Sequence, residues 1–163
     1  MFLDLPRRHV RLFALLVPVG LTALGCGPKQ QFAEVSGVVT LNGKPMPDAL
    51  VEFLPDQEKG TRGPMSMGTT SAGGRFRLVS SDSDRRGGAV VGFHRVLIQD
   101  ARSIPKARSD FSMDKPPENV PSRVSYVYGK AASTPLRQEV KPGPQEVTLE
   151  VTGRGGGGTP RKP

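Results

Sequence analysis

Between residues 34 and 55 the chain reads EVSGVVTLNGKPMPDALVEFLP (Glu34–Pro55), and this stretch decides the fold. Val35, Gly37, Val39 and Leu41 alternate with Ser36, Val38 and Thr40, the two-residue period of a half-buried strand. Asn42-Gly43 marks a turn, since both residues tolerate positive φ. Pro45 and Pro47 are expected to keep the connection out of any sheet ladder, because proline has no N–H to give. Ala49, Val51 and Phe53 then alternate with Leu50, Glu52 and Leu54, which predicts a second strand.

The same logic repeats towards the C-terminus. Ser66–Thr70 and Arg75–Val79 read as strands around the turn Ser71–Gly74, with Phe76 and Leu78 on one face and Arg75 and Arg77 opposite. Ala89–Asp100 is the longest apolar strand, with His94, Val96 and Ile98 on one face and Phe93, Arg95 and Leu97 on the other. Residues 101–134 form a long proline-rich loop, of a length that goes with function or disorder. Its one apolar island, NVPSRVSYVYG (Asn119–Gly129), is expected to pack on the sheet edge. Two last strands are predicted around Lys141-Pro142-Gly143-Pro144, within Pro135–Gly153. The basic, glycine-rich tail 153–163 is expected to be disordered. No stretch carries a sustained apolar stripe at helical spacing. About seven short strands with turn signals between them predict an all-β sandwich.

Upstream, the pattern changes. Arg7, Arg8 and Arg11 precede an uncharged apolar run, Leu12–Gly25. The run falls short of the roughly 20 residues a spanning helix needs. A basic start, a short apolar segment and small residues at its end describe a secretory signal peptide over residues 1–25. Ala23-Leu24-Gly25-Cys26 then resembles the signal of bacterial lipoproteins. Their usual order is Leu, Ala or Ser, Gly or Ala, Cys; Gly25 and Cys26 match it and the pair before them is inverted. The resemblance implies cleavage before Cys26, lipidation of its sulfur, palmitate among the acyl chains, and a tether over residues 26–33. Cys26 is the only cysteine of 163 residues. An ordinary signal peptide cut nearby, or an uncleaved anchor, would leave it an exported thiol with no disulfide partner, so lipidation explains more. Each buried acyl methylene contributes about 0.8 kcal/mol of membrane affinity, and stable anchoring takes more than one chain.

Removing residues 1–25 leaves 138 residues, one domain by length, and lowers the formal charge from +8 to +6. Nucleic acid is not the expected partner. Export removes it, and outside Arg85-Arg86 and the tail the basic residues are scattered. Anionic lipid headgroups or an acidic polymer of the envelope fit the basic balance better, and a merely solvated surface better still. The membrane through the lipid, and envelope proteins or polysaccharide, are the expected partners.

Taken together, VSGVVTLNGKPMPDALVEFLP, TTSAGGRF, GAVVGFHRVLI, VPSRV and PLRQEVKPGPQEVTLEV resemble small lipid-anchored bacterial proteins with a carboxypeptidase regulatory-like domain. The resemblance covers about Glu34–Val151. It implies a transthyretin-like, immunoglobulin-like β-sandwich over residues 34–152, acting as a non-catalytic binding or scaffolding module of the cell envelope. Two positions depart from the family pattern. Ser71 stands where Asp often opens the turn. Val124 stands where an aromatic usually follows the Pro-x-Arg step, and Tyr126 is displaced from it.

Chemistry is sparse in the sequence. A metal site needs three or four Cys, His or carboxylate ligands, and His94 is the mature chain's one histidine, so neither metal nor cofactor is expected. Asp82 and Asp84 alternate as at the start of a calcium loop but lack its distal glutamate, and read as a solvated turn. A hydrolase would use His94 as its base, yet its register with Val96 and Ile98 reads as a core histidine, and no enzyme activity is expected. Tyr126 and Tyr128 alternate, so both could point the same way. Exposed, they would contact a ligand and make a carbohydrate-binding module of the surface; buried, they would anchor the loop, and burial is the favoured reading. The expected location is the cell membrane or outer membrane, facing the periplasm or the exterior, and a secretion or surface-layer subunit is a further alternative.

Overall fold

The computed structural model describes residues 30–104 and 120–154. Residues 1–29, which hold the expected leader and Cys26, residues 105–119 and the tail from 155 lie outside the described residues. Among the described residues the strands are β1 (Phe32–Ala33), β2 (Val35–Leu41), β3 (Lys44–Pro45), β4 (Ala49–Pro55), β5 (Ser66–Thr69), β6 (Arg75–Arg77), β7 (Val79–Ser80), β8 (Ala89–Val90), β9 (Gly92–Asp100), β10 (Arg137–Val140) and β11 (Gln145–Val151). Short 3₁₀ turns cover Gln57–Lys59, Ala101–Ser103 and Tyr126–Gly129. The fold is an all-β sandwich. One sheet runs β10-β9-β4-β5-β7; the other has β2 at its centre, paired with β11, β3 and β6. The β1 and β8 pair forms a small flap, in register Phe32↔Val90 and Ala33↔Ala89.

The alternation expected for β2 and β4 is what fills the space between the sheets. Val35 and Val39 from one sheet meet Val51 and Phe53 from the other, all at most 1% exposed. Phe76, Leu78, Val96, Ile98, Val140, Leu149 and Val151 join them in the core, with Met46, Val124 and Tyr128. Gly37 lets the layers close. A Cβ there would sit 2.1 Å from the Val147 carbonyl oxygen and 2.9 Å from the Phe76 ring. At the Asn42-Gly43 turn the φ values are 52° and 79°, the left-handed region those residues accept.

Five features differ from the sequence reading. Pro45 does join a ladder, pairing with Thr40 while Lys44 pairs with Leu41. Two residues at a sheet margin need no N–H from the proline, and the Met46 N–H supplies the next bond, 2.9 Å to the Val39 carbonyl. The tether gives way to the fold sooner than expected, because Phe32 and Ala33 already pair as β1. Arg75–Val79 is no single strand. β6 pairs with β2 and β7 with β5, so the chain changes sheets at Leu78, whose N–H reaches the Val35 carbonyl at 3.0 Å. Ala89–Asp100 is not one strand either: Ala89–Val90 pair with β1, and the chain pairs with β4 and β10 only from Gly92 onward. Finally, the last two strands lie in different sheets. β10 extends the first sheet antiparallel to β9, whereas β11 lies parallel to β2, in register Gln145↔Val35 to Val151↔Leu41.

This topology gives the sandwich two unlike ends. β2 and β11 start, and β4 finishes, at the end where the chain enters through Gln30 and β1. β9 runs away from that end, from Gly92 to Asp100, over roughly 26 Å at about 3.3 Å per residue.

Candidate functional site

The far end of β9 builds the site. β9 pairs with β4 along Ala49↔Asp100 to Pro55↔His94, but with β10 only from Gly92 to Arg95. The edge from Val96 to Asp100 is therefore left without a strand on that side, and the return leg of the long loop packs along it. Thr134 Oγ1 donates to the Val96 carbonyl at 2.7 Å. The Tyr126–Gly129 turn packs against β9, with Gly129 beside the Gln99 side chain. Val124, buried in the core, bridges to Gly153, and the Ser125 N–H donates to the Thr152 carbonyl at 3.1 Å. The apolar island thus packs on the sheet edge, as its sequence predicts.

An ion cluster pins this leg in place. Asp100 continues the inward register of His94, Val96 and Ile98 and is 0% exposed. Arg123 Nε donates to its Oδ2 at 2.7 Å and Nη2 to its Oδ1 at 2.9 Å, while the Arg123 backbone N–H donates to Oδ2 at 3.1 Å. Nη2 also reaches the Pro47 carbonyl at 2.7 Å. The more exposed Arg102 adds two longer bonds of 3.3 Å. Burial alone would raise the Asp100 carboxyl; the Arg123 and Arg102 guanidinium groups outweigh it and hold it far below the usual carboxylate range. The same bond raises Arg123 above its ordinary value.

The two tyrosines part company. Tyr126 is 73% exposed and Tyr128 is 2% exposed, its hydroxyl 3.2 Å from Thr152 Oγ1. They do not point the same way, because the backbone is a 3₁₀ turn and not a strand. At three residues per turn, two steps carry a side chain about 240° around the axis. Tyr128 anchors the loop, and Tyr126 stands over a cleft of about 330 Å³. Gln99, Ser122, Ser125, Lys130 and Arg154 also line it. The Lys130 ammonium lies 5.9 Å from the centre of the Tyr126 ring. Asp100 is the one carboxylate in the wall, and its charge is met by Arg123 and Arg102. The cleft therefore offers one aromatic face, hydroxyl and amide groups, and cationic charge.

His94 is a core residue, as its register predicts. It is 1% exposed, its ring is tilted against Phe53 with centroids 5.7 Å apart, and Nδ1 lies 3.1 Å from the Gly92 carbonyl oxygen. That contact puts the ring proton on Nδ1. Nε2 is buried with no hydrogen-bond partner among the described residues. Burial lowers its pKa, against the opposing pull of the Gly92 carbonyl and Asp56. Asp82 pairs with Arg86 in its turn. A second cleft of about 290 Å³ lies at the chain-entry end, beside Glu34, Arg77 and Glu146, but no exposed aromatic lines it and Glu146 is paired with Arg75. No helix among the described residues is long and apolar enough to cross a membrane.

Of the cleft's lining the sequence singles out Tyr126 alone; Gln99 on β9, Lys130 in the loop and Arg154 beyond β11 meet only in the fold. The Asp100–Arg123 pair does have a sequence signal, since a carboxylate in the inward register of an apolar strand calls for a buried cation partner. Comparison of the chain with family models, with curated proteins and with solved structures finds no match.

Proposed function

We propose that this chain is a lipid-anchored envelope protein, tethered through Cys26, whose sandwich acts as a binding or scaffolding module. Its kinship, on this reading, is with the carboxypeptidase regulatory-like, transthyretin-like domains that its motifs resemble. The observation that carries the reading is the polarity of the fold. Five residues separate Cys26 from Phe32, so the first strand starts at most about 20 Å along the chain from the proposed lipid. The Tyr126 cleft lies at the opposite end of β9. A lipid at Cys26 would thus hold the body against the membrane and present the cleft away from it.

Membrane fractionation and intact mass test the anchor together. Wild-type protein is expected in the membrane fraction, with its N-terminal peptide starting at a diacylglyceryl-modified Cys26. Cys26→Ala is expected to release it. Unchanged membrane retention in that variant, or an unmodified sulfur in the wild type, sinks the reading. A second reading, a carbohydrate-binding module, is favoured by one observation: Tyr126 is a large ring, exposed above a cleft with hydroxyl and amide walls.

A further inference from the structure

The Tyr126 cleft carries more than a general binding role. We infer that it takes a sugar unit bearing a carboxylate, as found along acidic polysaccharides, with the ring stacked on Tyr126 and the carboxylate held by Lys130 and Arg154. This inference rests on the binding-module reading and names its ligand class.

Three features of the site converge on that ligand. First, Tyr126 is held by its neighbours and not by its own burial. Tyr128 is locked in the core two residues later, and Ser125 is bonded to Thr152 on the other side. An exposed aromatic on an anchored turn offers apolar contact area at little entropic cost on binding. Second, the volume of about 330 Å³ lies at the small end of ligand pockets, about 300–1,000 Å³, which suits a ligand of sugar size better than a folded partner. Ser122, Ser125 and Gln99 supply the hydroxyl and amide groups that sugar hydroxyls need.

Third, the charge of the wall is one-sided. Lys130 and Arg154 are exposed cations of the lining that no acidic residue pairs with among the described residues. The only carboxylate of the lining, Asp100, is buried and bound by two guanidinium groups. A neutral sugar would use the ring and the hydroxyls but leave both cations without an anionic partner. A bare anion would use the cations but leave the ring idle. A uronic acid unit uses both.

The test is titration of the whole protein, purified as the cell makes it, with trigalacturonate, with galactotriose as its neutral counterpart and with dextran sulfate as a polyanion without a carboxylate. Trigalacturonate is expected to bind about ten-fold more tightly than galactotriose. Tyr126→Ala is expected to weaken it about ten-fold, with Tyr126→Phe close to wild type. Lys130→Ala with Arg154→Ala is expected to erase the preference for the acid while keeping the weak neutral binding. Equal affinity for galactotriose, or trigalacturonate binding indifferent to Tyr126→Ala, overturns the inference. So does dextran sulfate that binds as well as trigalacturonate and ignores Tyr126→Ala, which would leave charge alone. Intact mass at Cys26 is read on the same sample. An unlipidated protein that still selects trigalacturonate through Tyr126 therefore removes the anchor and upholds the cleft.

Discussion

Arg123→Met removes the guanidinium that holds Asp100. In the wild type that carboxylate is fully buried and accepts two side-chain bonds and one backbone bond from Arg123, at 2.7 to 3.1 Å. Breaking a buried ion pair from one side costs about 3–5 kcal/mol, because the remaining charge stays buried. Here the backbone N–H and Arg102 remain, so the low end applies, about 3 kcal/mol. For a domain of this size that lowers Tm by about 10 °C. Urea unfolding at pH 7 measures it. Arg123→Lys keeps the charge but loses the fork that spans both oxygens, and is expected to recover about half of the loss. Adding Asp100→Ala to Arg123→Met is expected to cost less than the sum of the single changes, since no buried charge is then left unpaired.

The same pair carries a pH signature. Folded Asp100 has its pKa lowered from 3.8, so below about pH 4 the unfolded chain takes up a proton that the folded one refuses. The pair's stabilisation is complete above about pH 4 and is lost as pH falls further. In Arg123→Met this acid dependence flattens. A loss below about 1 kcal/mol at pH 7 together with an unchanged slope between pH 4 and pH 2 would falsify the claim that this carboxylate holds the return leg on β9.

Three further outcomes follow from the same structure. Because burial lowers the pKa of His94 from 6.5, the unfolded chain binds the proton first; stability is full above about pH 6.5 and falls as pH drops below it, and His94→Gln removes that slope in urea midpoints compared at pH 7.5 and pH 5.5. Gly37→Ala drives a Cβ against the backbone of β11 and the Phe76 ring, and is expected to cost about 3 kcal/mol or more; a thermal melt within 2 °C of wild type, or about 0.5 kcal/mol, would contradict the tight approach of β2 and β11. Phe53→Ala empties the largest fully buried side chain among the described residues and is expected to cost about 3–5 kcal/mol in chemical denaturation; a loss under 1 kcal/mol would mean that the ring lies outside the core.

Local pattern determined a good deal by itself. Alternation in Val35–Leu41, Ala49–Pro55 and Gly92–Asp100 told inward from outward residues, because a strand's period is a property of its own backbone. The left-handed turn at Asn42-Gly43 and the inward register of His94 were legible for the same reason. Which strand lies beside which was not. β11 runs parallel to β2, more than a hundred residues away, and β6 and β7 divide between the sheets at Leu78, because pairing is chosen by packing between segments that share no local signal. The tyrosines show the limit most directly. Sequence spacing put them on one side of an extended chain, but the open edge of β9 gathered that stretch into a 3₁₀ turn, which buried Tyr128 and left Tyr126 facing solvent. Lys130 and Arg154 became its neighbours only then, since a cleft is made where distant segments meet and no one of them encodes it.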